Sequence, residues 1–173
     1  MALLDQLKEV VKAISQQTGD SCFLIRREHS TSVCIYREIG SYPVQVLTVA
    51  PGHQQPLGVG AAGLALLAFL PDNEIRDILT QNKELLYSYG HMSISKMRSL
   101  IQSTQERGWA VVGDSAVPGV IGVGMPIFDA YGYPIFAVSV SSIATRMSPP
   151  KQHHTARIIR TELQRAGLSW EQA

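Results

Sequence analysis

Apolar residues at positions 3, 4, 7, 10, 11 and 14 recur at a spacing of 3.6. That lays one hydrophobic stripe along a helix over residues 3–18, and Gly19 ends it. The period then changes. Residues 21–27, 31–39 and 44–50 read as short strands rich in β-branched side chains, split by turn residues such as Gly40-Ser41 and closed by Pro51-Gly52. Residues 59–70 are small and apolar all round, which predicts a buried helix. Pro71-Asp72 breaks it and starts another, with Ile75, Ile78 and Leu79 on one face. Ser93 or Ser95 caps a further helix carrying Met97, Leu100 and Ile101, stopped by Gly108.

From Trp109 the chain reads as strand again. Between positions 115 and 145 the only charged residue is Asp129, and Pro126, Gly132 and Pro134 exclude a single long helix. Two core strands over 120–128 and 135–143, joined by the turn Asp129-Ala130-Tyr131-Gly132, fit this stretch. Ser148 before Pro149-Pro150 opens the last helix, which ends at Gly167. Strands in blocks joined by short turns argue for an antiparallel sheet with helices packed against it, an α+β fold.

Length and charge narrow the picture. With 173 residues the expectation is one domain over 1–173. Lys plus Arg is 15 and Asp plus Glu is 14, with no basic stripe, so the chain is a poor candidate for gripping DNA by itself. The apolar run 57–71 is too short and glycine-rich for a membrane span, and Asp5, Lys8 and Glu9 spoil a signal peptide. A cytoplasmic protein is expected. Cys22 and Cys34 lack a CxxC spacing and read as buried strand thiols, with a disulfide or redox site as the other reading.

Three features could carry chemistry. Gly58-Val59-Gly60-Ala61-Ala62-Gly63 is a literal GxGxxG opening a helix. A dinucleotide site needs that motif directly after a strand in a βαβ unit, and here residues 52–56 intervene. Tight packing of small residues explains it equally, and a bare helix start also suits a small anion. In the strand 135–143, alternation puts Ala137, Ser139 and Ser141 on one face and Phe136, Val138 and Val140 on the other. The serines either face water or point into a pocket where a ligand satisfies them. In 120–128, Gly122 and Gly124 share one face and leave a trough for another backbone or for a ligand. The histidines lack metal-ligand spacing, and Asp72, Glu74, Asp77 and Glu84 read as a solvated helix face. No nucleophile elbow, paired carboxylates or phosphate loop is present.

Two stretches, PLGVGAAGLALLAFLPD (56–72) and RGWAVVGDSAVPGVIGVGMPIFDAYGYPIFAVSVSSIATR (107–146), carry a family resemblance. The chain resembles the effector-binding domain of IclR-type transcription regulators, whose fold is GAF-like, over nearly its whole length. The resemblance implies a sensor for a small carboxylic acid, no cofactor, no enzymatic activity, and homodimers or homotetramers, with seams around Leu3, Leu7 and Val10. It implies operator DNA as a partner only through an N-terminal winged helix-turn-helix, which this sequence lacks; residues 1–19 resemble the linker helix. A stand-alone GAF-type sensor and an enzyme are the other classes weighed. Carried over position by position, the effector contacts fall on Ala61 and Ala62 at the helix start and on Ser139 and Ser141. Departures fall on Val112, where an acid is common, on Gly122, where some members have a cysteine, and on Leu64, where a lysine is frequent. Asp114 is near Val112 but out of register. The implied pocket is more apolar, lined also by Val112, Val120 and Gly122, and suits a larger carboxylate.

Overall fold

A computed structural model describes residues 1–113 and 117–171. The chain runs α1 (Leu3–Thr18), β1 (Ser21–Glu28), β2 (Thr31–Glu38), β3 (Gln54–Pro56), α2 (Gly60–Ala68), α3 (Asp72–Gln81), α4 (Lys83–Tyr87), α5 (Ile94–Arg107), β4 (Ala110–Gly113), β5 (Val120–Phe128), β6 (Pro134–Ile143) and α6 (Pro149–Arg165). The strands form one six-stranded sheet in the order β3-β2-β1-β6-β5-β4. Every pairing among them is antiparallel. The α+β reading is therefore what the chain builds.

Alternation along the strands divides the core in two. Phe23, Ile25, Cys34 and Ala137 face the layer of α2, α3 and α5. Cys22, Leu24, Val138 and Val140 face α1 and α6 with Leu7, Val11 and Ile14. Helix α2 has no polar face because it lies between the sheet and α5, and every residue from Ala61 to Ala68 is buried. The predicted caps hold. Ser93 Oγ accepts from Lys96 N at 3.1 Å and Ser148 Oγ from Lys151 N at 3.4 Å. Asp129 organises the β5–β6 turn, its Oδ1 accepting from the N–H groups of Tyr131 (2.9 Å) and Tyr133 (3.0 Å).

Three expectations need correction. Residues 44–50 are not a strand; Gly40-Ser41 and Pro43 break the segment, and only Val46 of its apolar residues is buried, while Val44 and Leu47 face out. The edge of β2 is taken instead by the three-residue β3, where Gln54–Pro56 pairs with Thr31–Val33. Leu7 and Val10 are not a seam between copies, because α1 packs them into its own chain; only Leu3 and Leu4, 44% and 42% exposed, stay open on that helix start. Glu74 is not on the solvated face with Asp72, Asp77 and Glu84: it is half-buried, with Arg27 at 3.7 Å. The short α4, with Leu86 as its buried anchor, was unexpected.

The start of β1 carries a buried charge. Asp20 is 1% exposed and accepts from Ser142 Oγ at 3.2 Å and from the Arg146 guanidinium at 3.3 Å. Arg146 in turn lies 3.5 Å over the Tyr42 ring. This ties the α1–β1 corner to the end of β6 and to the segment beyond β2.

Candidate functional site

The site begins with a close approach. A Cβ at Gly124 would stand 2.5 Å from the Ala61 carbonyl oxygen and 2.9 Å from Ala62 N. Only glycine on β5 lets the first turn of α2 lie directly on the sheet. Gly58 and Gly60 make the chain turn into that helix at φ of +104° and +76°. The GxGxxG motif is thus turn and packing chemistry. With every strand pair antiparallel, the parallel βαβ unit of a dinucleotide site does not form around it.

The trough predicted on β5 is divided between two uses. At Gly124 another backbone fills it, as one of the two readings held. At Gly122 it opens: a Cβ there would sit 3.1 Å from Ala61 Cβ and 3.3 Å from Ser141 Oγ, on the wall of a cavity of about 180 Å³. Register explains the gathering. Gly122 pairs with Ser141 and Gly124 with Ser139, so the two serines and two glycines share the helix-side face.

All seven residues expected at a site, Ala61, Ala62, Val112, Val120, Gly122, Ser139 and Ser141, line this one cavity. Asp114 lies outside the described residues. The sequence reading missed Phe23 and Ile25 on β1, Ser32 on β2, Thr48 and Val49 on the segment between β2 and β3, and Tyr89 before α5. Strand alternation could have found the first three, which share a sheet face with Ser139. No local signal marks Thr48 or Tyr89, whose places depend on how loops cross.

No charged side chain lines the cavity among the described residues. Its polar groups are hydroxyls, the Gln55 amide and a helix start. Val59, the N-cap of α2, offers no side-chain bond, and its own N–H goes to the Pro56 carbonyl at 3.2 Å. The N–H groups of Gly60, Ala61 and Ala62 begin the helix and have no intrahelical acceptor. They add the positive end of the helix dipole to the cavity wall. Ser139 is 6% exposed, and neither its hydroxyl nor that of Ser141 is paired with a protein group among the described residues.

The other reactive groups lie apart. Cys22 and Cys34 are free and buried, and burial pushes both thiols up from their ordinary value. His153 packs edge-on against Trp109. No group of three or more His, Cys, Asp or Glu among the described residues is placed to hold a metal ion. No described helix is long and apolar enough to cross a membrane.

Comparison with known proteins agrees with the fold. Residues 1–165 match the family model described as "Bacterial transcriptional regulator IclR C-terminal". The chain is 24% identical over 144 residues to the HTH-type transcriptional regulator KipR of Bacillus subtilis, covering 82% of this chain and 56% of that protein. It superposes on the crystal structure of the Thermotoga maritima IclR with a TM-score of 0.87 at 23% identity, covering 96% of this chain and 67% of the other. The C-terminal domain of the Escherichia coli regulator KdgR matches with a TM-score of 0.81 at 20% identity, covering 96% of each chain. The chain spans about half the length of the curated relatives it matches. With a family model covering nearly all of its length, this chain belongs to the IclR C-terminal family of bacterial transcriptional regulators.

Proposed function

We propose that this chain senses a carboxylic acid in the α2–sheet cavity and is a ligand-binding, non-enzymatic part of a DNA-binding transcription regulator. The observation that carries the reading is two hydroxyls without protein partners among the described residues, buried Ser139 and half-buried Ser141, facing the uncapped first turn of α2 across one cavity. Donors converge there, and among the described residues no carboxylate competes. An anion gains from both the hydroxyls and the helix dipole. Nothing in the lining among the described residues pairs a nucleophile with a base, which supports binding rather than catalysis.

The rest of the lining sets the size of the acid. A closed apolar cavity of about 150 Å³ takes a benzene. The 180 Å³ here, walled by Val112, Val120, Phe23 and Ile25, suits a phenyl-sized or medium-chain body with its acid on the serines. A two- or three-carbon acid would leave the apolar part unfilled and forgo about 25 cal/mol per Å² of buried surface. A titration series from glyoxylate through hexanoate to benzoate tests this. The larger acids should bind tighter. Gly122→Cys, which crowds Ala61 and Ser141, should weaken them selectively. Hydrogen bonds to a charged group are worth about 1.5–3 kcal/mol, so Ser139→Ala should weaken binding roughly ten- to a hundredfold. Tightest binding of glyoxylate, or unchanged affinity in the Ser139→Ala/Ser141→Ala double variant, would refute the assignment.

Operator binding belongs, in this reading, to a helix-turn-helix outside this sequence, as the names of its relatives suggest. The chain alone should give no sequence-selective, salt-sensitive shift of duplex DNA. A single domain in the cytoplasm is the setting this reading assumes.

A further inference from the structure

We propose that residues 40–53 form a strap that swings away from the sheet as one unit, and that Gln45 is the latch that positions it. Between β2 and β3 the chain has no helix or strand. Its ends are tied by backbone. Tyr42 N donates to the Gly19 carbonyl at 3.0 Å, Gly52 N to the Cys34 carbonyl at 2.7 Å, and Cys34 N to the His53 carbonyl at 3.0 Å. Across 43–49 the described structure has no bond from backbone to backbone. That stretch is held by side chains, chiefly one.

The Gln45 amide sits at the centre of four hydrogen bonds. Its Nε2 donates to the carbonyls of Gly19 (3.0 Å) and Tyr42 (2.6 Å). Its Oε1 accepts from Ser21 Oγ (2.7 Å) and Gly40 N (3.0 Å). All four capacities a primary amide offers in this setting are used on the joint between strap, α1 and β1. Arg146 stacked on Tyr42 and Arg37 donating to the Val49 carbonyl at 2.9 Å are the secondary ties.

The strap faces two ways. Thr48 and Val49 form part of the cavity wall, while Val44 and Leu47 stand outside. A segment with one buried apolar anchor, Val46, and side-chain ties in place of a backbone ladder belongs to the low-stability end of a fold and opens locally. Latching it with a single amide sets how often the wall over the cavity is in place. This rests on the cavity being a ligand site only for what the strap covers; the latch itself does not depend on any ligand.

The two cysteines separate local opening from unfolding. Cys34 carries the strap's C-terminal tie on its own backbone, and Cys22 is buried on the opposite face of the sheet. The test is the rate at which a small thiol reagent modifies each of them in the whole chain, with and without Gln45→Met. Losing the amide should speed modification of Cys34 roughly tenfold or more, the ratio that even two hydrogen bonds of ordinary net strength would set. Cys22 should keep its rate. Gln45→Glu retains the acceptor half of the latch and should fall between the two. Equal rates at Cys34 in Gln45→Met and the parent overturn the proposal, as does equal acceleration of both thiols, which would make Gln45 an ordinary stability residue. Saturating benzoate should slow Cys34 modification in the parent. If benzoate does not bind while Gln45→Met still accelerates Cys34 alone, the acid assignment of the cavity fails and the latch stands.

Discussion

Gly124→Ala isolates the contact that builds the site. The added methyl would meet the Ala61 carbonyl oxygen at 2.5 Å, the Ala61 carbonyl carbon at 2.6 Å and Ala62 N at 2.9 Å. Side-chain carbons are not found closer than 3.0 Å to such atoms, so α2 or β5 must move apart by at least 3.0 − 2.5 = 0.5 Å. Neither can yield cheaply. The clashing atoms are backbone, β5 is held between β4 and β6, and α2 is enclosed by the sheet and α5. Overpacking of this kind costs about 1–3 kcal/mol, and a backbone clash belongs at the upper end. For a domain of this size each kcal/mol lowers the melting temperature by about 2–4 °C, so a fall of roughly 5–10 °C is expected. Gly122→Ala is the control. Its contacts, 3.1 Å to Ala61 Cβ and 3.3 Å to Ser141 Oγ, ask for a few tenths of an ångström from side-chain atoms beside a cavity, and its loss should stay under about 1 kcal/mol. The assay is reversible urea unfolding of both variants alongside calorimetric melting, with an unchanged m-value to confirm that the native state is the one perturbed. If the Gly124→Ala protein melts within a degree or so of its parent, or no lower than Gly122→Ala, then the helix start does not press on the sheet and the geometry assigned to the site is wrong.

Asp20→Ala removes the buried carboxylate that Arg146 and Ser142 share, and urea unfolding should show a loss of about 3 kcal/mol, near the low end for a broken buried pair because Arg146 keeps some contact with water. Stability should also fall on the alkaline side. Burial pushes the Cys22 thiol up from its ordinary 9.0, so above that pH the unfolded chain sheds a proton that the folded chain keeps. The full stability is present below about pH 9 and is lost as the pH climbs toward the folded value; Cys22→Ala should flatten that limb of a denaturant series, and an unflattened limb would exclude this thiol as its cause. We also expect self-association, with Leu3 and Leu4 at the open start of α1 among the contacts. Light scattering that gives a strictly monomeric mass at micromolar concentration would contradict it, and Leu3→Glu should shift the mass downward if the contact is real.

The elements that were legible in the sequence are those whose signal is local. Helix α1 has a 3.6 period and a glycine stop, and β5 and β6 have the alternation and turn chemistry that a strand pair requires. Alternation alone put Ser139 with Ser141 on one face of β6 and Gly122 with Gly124 on one face of β5, because a strand's period of two leaves no choice, and the register of the pair then brought the two faces together. Ala61 and Ala62 came from the family resemblance, and both line the cavity. What tertiary structure decided is everything that depends on which surfaces meet. Residues 44–50 have a strand-like composition, yet the edge of β2 pairs instead with Gln54–Pro56, and a strand without an edge to join does not form. Leu7 and Val10 could have served a partner or the core, and α6 and the sheet, packing over α1, chose the core. Gly122 and Gly124 read alike in sequence. Only the position of α2, resting its first turn on one and stopping short of the other, made one a contact and the other a cavity wall.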